Sequence, residues 1–135
     1  MKKAASTLRY SLFDLEELLR IDEKMLISNE PLTTEEIELL RLKAEEGIAL
    51  HAFYYGVYFH LYEHDEEKAE EWWNKFFYHA TGFGLWRASN VFAHFGGHYQ
   101  EWSMRCLRRS AWKQFKLAKM KLSSLKEHPY KLLEE

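Results

Sequence analysis

Ile48-Ala49-Leu50-His51-Ala52-Phe53-Tyr54-Tyr55-Gly56-Val57-Tyr58-Phe59-His60-Leu61-Tyr62-Glu63 is apolar almost all the way round when read as a helix. Only His51 and His60 interrupt the run of aliphatic and aromatic side chains. A helix that is apolar on every side must be covered on every side. The stretch therefore predicts a central helix sandwiched between neighbours. Upstream, Thr33 and Glu36 have the spacing of a capping box, in which each side chain satisfies a free backbone N–H of the other residue. They open a helix over 34–46 with Ile37, Leu40 and Ala44 facing inward, and Gly47 closes it. Leu8, Leu12, Leu15, Leu18, Leu19 and Met25 recur at helical spacing and predict a first helix over 6–27, ended by Asn29-Glu30-Pro31.

Downstream, Asp65 caps a fourth helix whose Glu66, Glu67, Glu70 and Glu71 suit the positive end of its dipole. Its apolar stripe is Ala69, Trp72, Trp73, Phe76, Phe77 and Ala80, and Gly82 and Gly84 are expected to break it. A fifth helix over 85–95 stops at Gly96-Gly97. Met104, Leu107, Ala111, Phe115, Ala118, Leu122 and Leu125 then step by threes and fours, predicting one long last helix over 98–125 that ends before His128-Pro129. No segment shows sustained β alternation. Helices joined by short loops make antiparallel neighbours. The expected fold is all-α, about six helices in stacked antiparallel hairpins, a short α-solenoid. It is read as one domain over 1–135, with a helix pair at 1–46, repeats at 47–82 and 83–126, and a tail at 127–135.

A shift of 37 residues overlays Gly47 on Gly84, Ala52 on Ser89, Tyr55 on Phe92, Gly56 on Ala93, Lys68 on Arg105 and Ala69 on Cys106. Small residues fall on small and large on large, as two hairpins with the same close helix crossings require. The run Gly47…Ala52…Gly56…Tyr58, followed by Asp65-x-x-Lys68-Ala69-x-x-Trp72-Trp73-x-Lys75, resembles the Sel-one-like repeat of the tetratricopeptide superfamily. The resemblance is clear over 47–82 and weaker over 84–112. Tyr62-Glu63-His64 replaces that family's usual loop glycines, and the second copy lacks the tryptophan after Cys106. The resemblance implies an adaptor with a concave protein-binding face and no catalytic machinery.

A chain of 135 residues buries roughly two-thirds of its unfolded surface without help from metals or disulfides. Cys106 is the only cysteine, which excludes an internal disulfide and suits a reducing compartment. The basic Met1–Thr7 start is not followed by a signal peptide's apolar run. No stretch approaches the roughly 20 apolar residues that cross a bilayer. The expected location is the cytoplasm, without membrane contact. Of the 22 aromatic residues, 17 lie between Phe53 and Trp102, where they form either a dense core or an adhesive surface.

Charge is unevenly divided. Residues 1–101 carry 10 basic and 18 acidic side chains, whereas residues 102–126 carry eight basic and no acidic ones. On one continuous helix Arg105, Arg109, Lys113 and Lys116 share a face, with Arg108 beside it. Such a ridge suits an acidic protein or a phosphate backbone. A solvated face whose cations complement the helix's own dipole accounts for the same pattern. Tyr54, Tyr78, Trp86, Tyr99 and Trp102 lie off the helical stripes and are the candidates for exposed aromatic contacts, since Trp, Tyr and Arg dominate interface hot spots. His60 and His64 have metal-ligand spacing but lack two further ligands. Cys106 between Arg105 and Arg109 invites a lowered thiol pKa, although its repeat partner Ala69 marks it as a small packing residue. With no nucleophile motif, phosphate-binding glycine loop or diagnostic carboxylate pair, no catalytic residue, metal site or cofactor is expected. The expected function is a non-enzymatic protein–protein interaction module, an adaptor or inhibitor. The alternatives are a nucleic-acid binder using the basic helix with Trp102 and Trp112, and self-association of the acidic half with the basic helix.

Overall fold

The structure, a computed structural model, describes residues 12–127, with side chains over 15–125. Among them are seven α-helices and no strand: α1 (Leu12–Glu23), α2 (Thr34–Glu45), α3 (Ala49–Tyr58), α4 (Glu66–His79), α5 (Gly82–Phe95), α6 (Tyr99–Trp112) and α7 (Lys116–Glu127). The chain is all-α. The expected helix start before Leu12 and the His128-Pro129 stop lie outside the described residues. Two compact units divide between Trp72 and Trp73, so α4 gives its first half to one and its second half to the other. No helix among the described residues is long and apolar enough to cross a membrane.

In the first unit, eight consecutive α3 residues from Leu50 to Val57 are buried, as an all-round apolar helix requires. Leu18 and Ile21 of α1, Met25 just beyond it, and Leu40 and Ala44 of α2 are buried in the same unit. Both α1 and α3 end in a π-helical turn, Lys24–Ser28 and Phe59–Glu63, that closes on a left-handed residue, Asn29 (φ 55°) or His64 (φ 54°). The wider turn lets the last carbonyls find donors that an abrupt helix end would deny them. Glu30 N–H donates to the Lys24 carbonyl at 2.9 Å, and Asp65 N–H to the Phe59 carbonyl at 3.0 Å. The Tyr54 hydroxyl donates to the Asp22 carboxylate, and the Tyr62 hydroxyl to the Glu30 carbonyl. Both pairs span 32 residues, so α1 and α3 run side by side in the same direction. The Thr33–Glu36 capping box opens α2 as expected, and Lys24 Nζ adds an ion pair to Glu36 at 2.9 Å.

In the second unit, α5 and α6 form an antiparallel hairpin. Ser103 Oγ donates to the Ser89 carbonyl at 2.8 Å and Ser110 Oγ to the Gly82 carbonyl at 2.6 Å; seven residues forward on α6 match seven back on α5. The serines are small enough to let the two backbones approach. Trp73 stands edge-on to Phe92, with ring centres 4.8 Å apart, and touches Tyr99 and Trp102. Gly82 and Gly84 do not separate two helices but form the first turn of α5, where Thr81 Oγ accepts the Gly84 N–H at 3.1 Å.

The expected single last helix is two helices. α6 stops at Trp112, Gln114 turns left-handed (φ 69°), and α7 begins at Lys116. Phe115 packs against Phe83 and Trp86, so closely to the start of α5 that a Cβ on Gly82 would lie 3.0 Å from Phe115 Cβ. That contact draws the chain off the α6 axis. α7 then folds back, burying Ala118 and Leu125 with Leu107, flanked by Trp86, Met104, Ala111, Phe115 and Leu122. The apolar stripe runs through the break because both helices pack on that one cluster.

Helix starts recur at 33 residues: Ala49 to Gly82 and Glu66 to Tyr99, with the ends His79 and Trp112 also 33 apart. The 37-residue overlay matches Gly47, a left-handed loop residue (φ 94°), with Gly84 inside α5. The two registers differ by about one helical turn, a shift that keeps apolar faces aligned.

Candidate protein-binding face on the second unit

On α6 the spacing Trp102, Arg105, Arg109, Trp112 places all four side chains on one face. The adjoining face is buried, with Tyr99, Ser103, Cys106, Leu107 and Ser110. The second half of α4 adds Phe77 and Tyr78. The result is a ladder of rings and cations. The Arg105 guanidinium lies 4.5 Å from the Trp102 ring centre and 4.8 Å from that of Phe77. Arg109 lies 5.1 Å from Phe77, and 5.8 Å from both Tyr78 and Trp112. Trp102 in turn stacks on Phe92, with centres 5.4 Å apart and planes at 21°. Each such cation–ring contact contributes about 0.5–2 kcal/mol according to its desolvation. Together they hold two otherwise flexible side chains in place.

Among the described residues no carboxylate pairs with Arg105, Arg108 or Arg109, whereas Lys24 pairs with Glu36, Arg41 with Glu38 and Glu45, and His60 with Glu66. Arg109 Nε is buried with no hydrogen-bond acceptor among the described residues. Tyr78 and Trp112 remain 60% and 71% exposed at the ladder's edge. The wider charge balance has the same sign. Residues 73–135 carry 11 basic and four acidic side chains, a net of +7, against eight and 17, a net of −9, over 1–72.

Several expected site residues lie elsewhere. Tyr54 is completely buried, since its ring packs edge-on to Phe53 while its hydroxyl reaches Asp22. Tyr99 is buried against Trp73, Phe92 and Phe95. Trp86 packs on the α6–α7 cluster rather than offering its ring to a partner. Lys113 Nζ donates to the Ala80 carbonyl at 2.7 Å, where it serves the C-terminal end of α4. Lys116 lies beyond the break, on α7. The ridge Arg105–Arg109–Lys113–Lys116 is therefore not continuous. Arg105, Arg109, Trp102 and Tyr78 are brought together, and Arg108 is exposed beside them. The residue missed was Phe77, which its place in the α4 stripe marks as core; it is buried, yet both guanidiniums lie over its ring.

The remaining chemical candidates lie in the first unit and inside α6. His60 pairs with Glu66, and His64 supplies the left-handed residue after α3. No three His, Cys, Asp or Glu side chains converge among the described residues. Cys106 is buried, and that burial pushes its thiol up to about 12 despite the nearby Arg105 cation. It is thus not the activated thiolate that its arginine neighbours suggest. No family model, no curated protein and no solved structure matches this chain.

Proposed function

We propose that the chain is a non-catalytic protein-binding module that holds an acidic partner on the Trp102–Arg105–Arg109–Trp112 face, with Tyr78 at its edge. The observation carrying this reading is the pair of guanidiniums set over ring faces, with no carboxylate paired to them among the described residues. An arginine held in place loses less side-chain entropy on binding, and its planar fork matches a carboxylate. Arg, Trp and Tyr are also the residues that dominate interface hot spots. An adaptor or inhibitor would use such a surface equally well. The test is a tagged pull-down from the native host in the presence of nuclease, comparing the unaltered chain with R105E/R109E. A stoichiometric protein retained by the first and lost by the second is the expected result. Its retention by both, with circular dichroism unchanged, would sink the proposal.

A second reading, nucleic-acid binding, draws on the exposed Tyr78 and Trp112 rings beside arginines, which suit base stacking. The interrupted ridge weighs against it. With Lys113 engaged by Ala80 and Lys116 on another helix, no continuous row of cations tracks a phosphate backbone. Binding of a single-stranded oligonucleotide that falls steeply with salt and requires Arg105 and Arg109 would favour it.

A further inference from the structure

The acidic occupant need not come from another gene product, because the same chain presents one. On the first half of α4, Glu67 and Glu71 stand four residues apart on one face, both exposed and outside every ion pair among the described residues. Arg105 and Arg109 stand four residues apart on α6. Each pair spans one helical turn, about 6 Å of rise, so two carboxylates laid against two guanidiniums meet in register. The surroundings agree in sign, with −9 over residues 1–72 and +7 over 73–135. The arginines are held by Trp102, Phe77, Tyr78 and Trp112, and by no carboxylate among the described residues. Charge-assisted pairing to a carboxylate suits such guanidiniums. Exposed Tyr78 and Trp112 would add the apolar area that charge pairs alone do not provide.

We propose that the Arg105/Arg109 face binds a second copy of this chain through the Glu67/Glu71 face of its α4. This rests on the protein-binding reading of the same surface and names its occupant. The test is sedimentation velocity of the full chain over a concentration series, at about 20 mM and about 500 mM salt. The expected result is a mass above the 16.3 kDa monomer that rises with concentration in low salt and falls back in high salt. R105E/R109E and E67R/E71R, each with unaltered circular dichroism, are expected to be monomeric alone and to associate when mixed one to one. In the mixture an unaltered arginine face again meets an unaltered glutamate face, and the exchanged faces complement each other as well. A chain that stays monomeric at low salt, or variants that associate alone as the unaltered chain does, would overturn the proposal. So would a mixture that stays monomeric. If self-association fails while the host-partner pull-down still depends on Arg105 and Arg109, the binding face stands with a different occupant. If both fail, the face itself is not an interface.

Discussion

Tyr54 shows how a single residue changes meaning with its surroundings. In the sequence it lies off the helical stripes and reads as an exposed contact, whereas in the fold it is fully buried with its hydroxyl on Asp22. Hydrogen bonds to charged groups contribute about 1.5–3 kcal/mol. Tyr54→Phe is therefore expected to lower stability by about that amount, read as a lower urea midpoint with unchanged slope. Arg105 and Arg109 are the opposite case. Their burial is partial and their partners are rings, so their charge stays available while their positions do not wander. Cys106 lies one residue from Arg105, yet burial dominates its chemistry and pushes the thiol up to about 12. Thiol reagents at pH 8 should leave the native chain almost unlabelled and modify one cysteine per chain in strong denaturant. Rapid native labelling would contradict the packing described for α6.

Among the elements, α2 is fully legible in the sequence, because a capping box is a local device: Thr33, Glu36 and the backbone between them suffice. Thr33→Ala should cost about 1 kcal/mol, measured by urea unfolding. For Glu36, burial raises the pKa, but the Thr33 backbone N–H, Lys24 and the Thr33 hydroxyl outweigh it and leave the carboxyl lowered. A lowered native pKa stabilises the fold above the unfolded value of about 4.3, and the contribution is lost as pH falls through the native one. Glu36→Gln should therefore narrow its stability difference from the unaltered chain on going from neutral to strongly acid solution. The α6–α7 break was not legible. Nothing near Gln114 carries a glycine or proline, and the stripe of threes and fours continues across it. The break exists because Phe115 is drawn against the start of α5. A non-glycine residue in the left-handed region carries a steric cost of about 1–2 kcal/mol. Gln114→Gly should relieve part of it and raise the melting temperature by a few degrees, although the Lys119–Gln114 hydrogen bond is lost. A fall in melting temperature would show that the side chain matters more than the backbone there.

At the scale of the whole molecule the prominent feature is the separation of charge, −9 over residues 1–72 and +7 over 73–135. Each half of such a chain attracts opposite charge, and association through it weakens with salt. Reversing two charges on the face, as in R105E/R109E, should reduce affinity for an acidic partner by at least 100-fold, read by titration calorimetry at fixed salt; close charge pairs couple by about 1.5–7 kcal/mol. A change below tenfold would place the binding energy elsewhere. Sequence by itself determined the helical class, the capped start of α2, the all-round burial of Leu50–Val57 and the sign of charge in each half. These follow from local backbone chemistry, from apolar periodicity and from counting. Only the tertiary structure decided which register of the repeat the helices adopt, where the last helix breaks, and which aromatic residues reach the surface. Shifting a helix by one turn keeps its apolar face inward, so periodicity cannot separate registers of 33 and 37 residues. Whether a tyrosine packs inward or a buried phenylalanine carries two guanidiniums depends on neighbours distant in sequence: Asp22 for Tyr54, and Arg105 and Arg109 for Phe77.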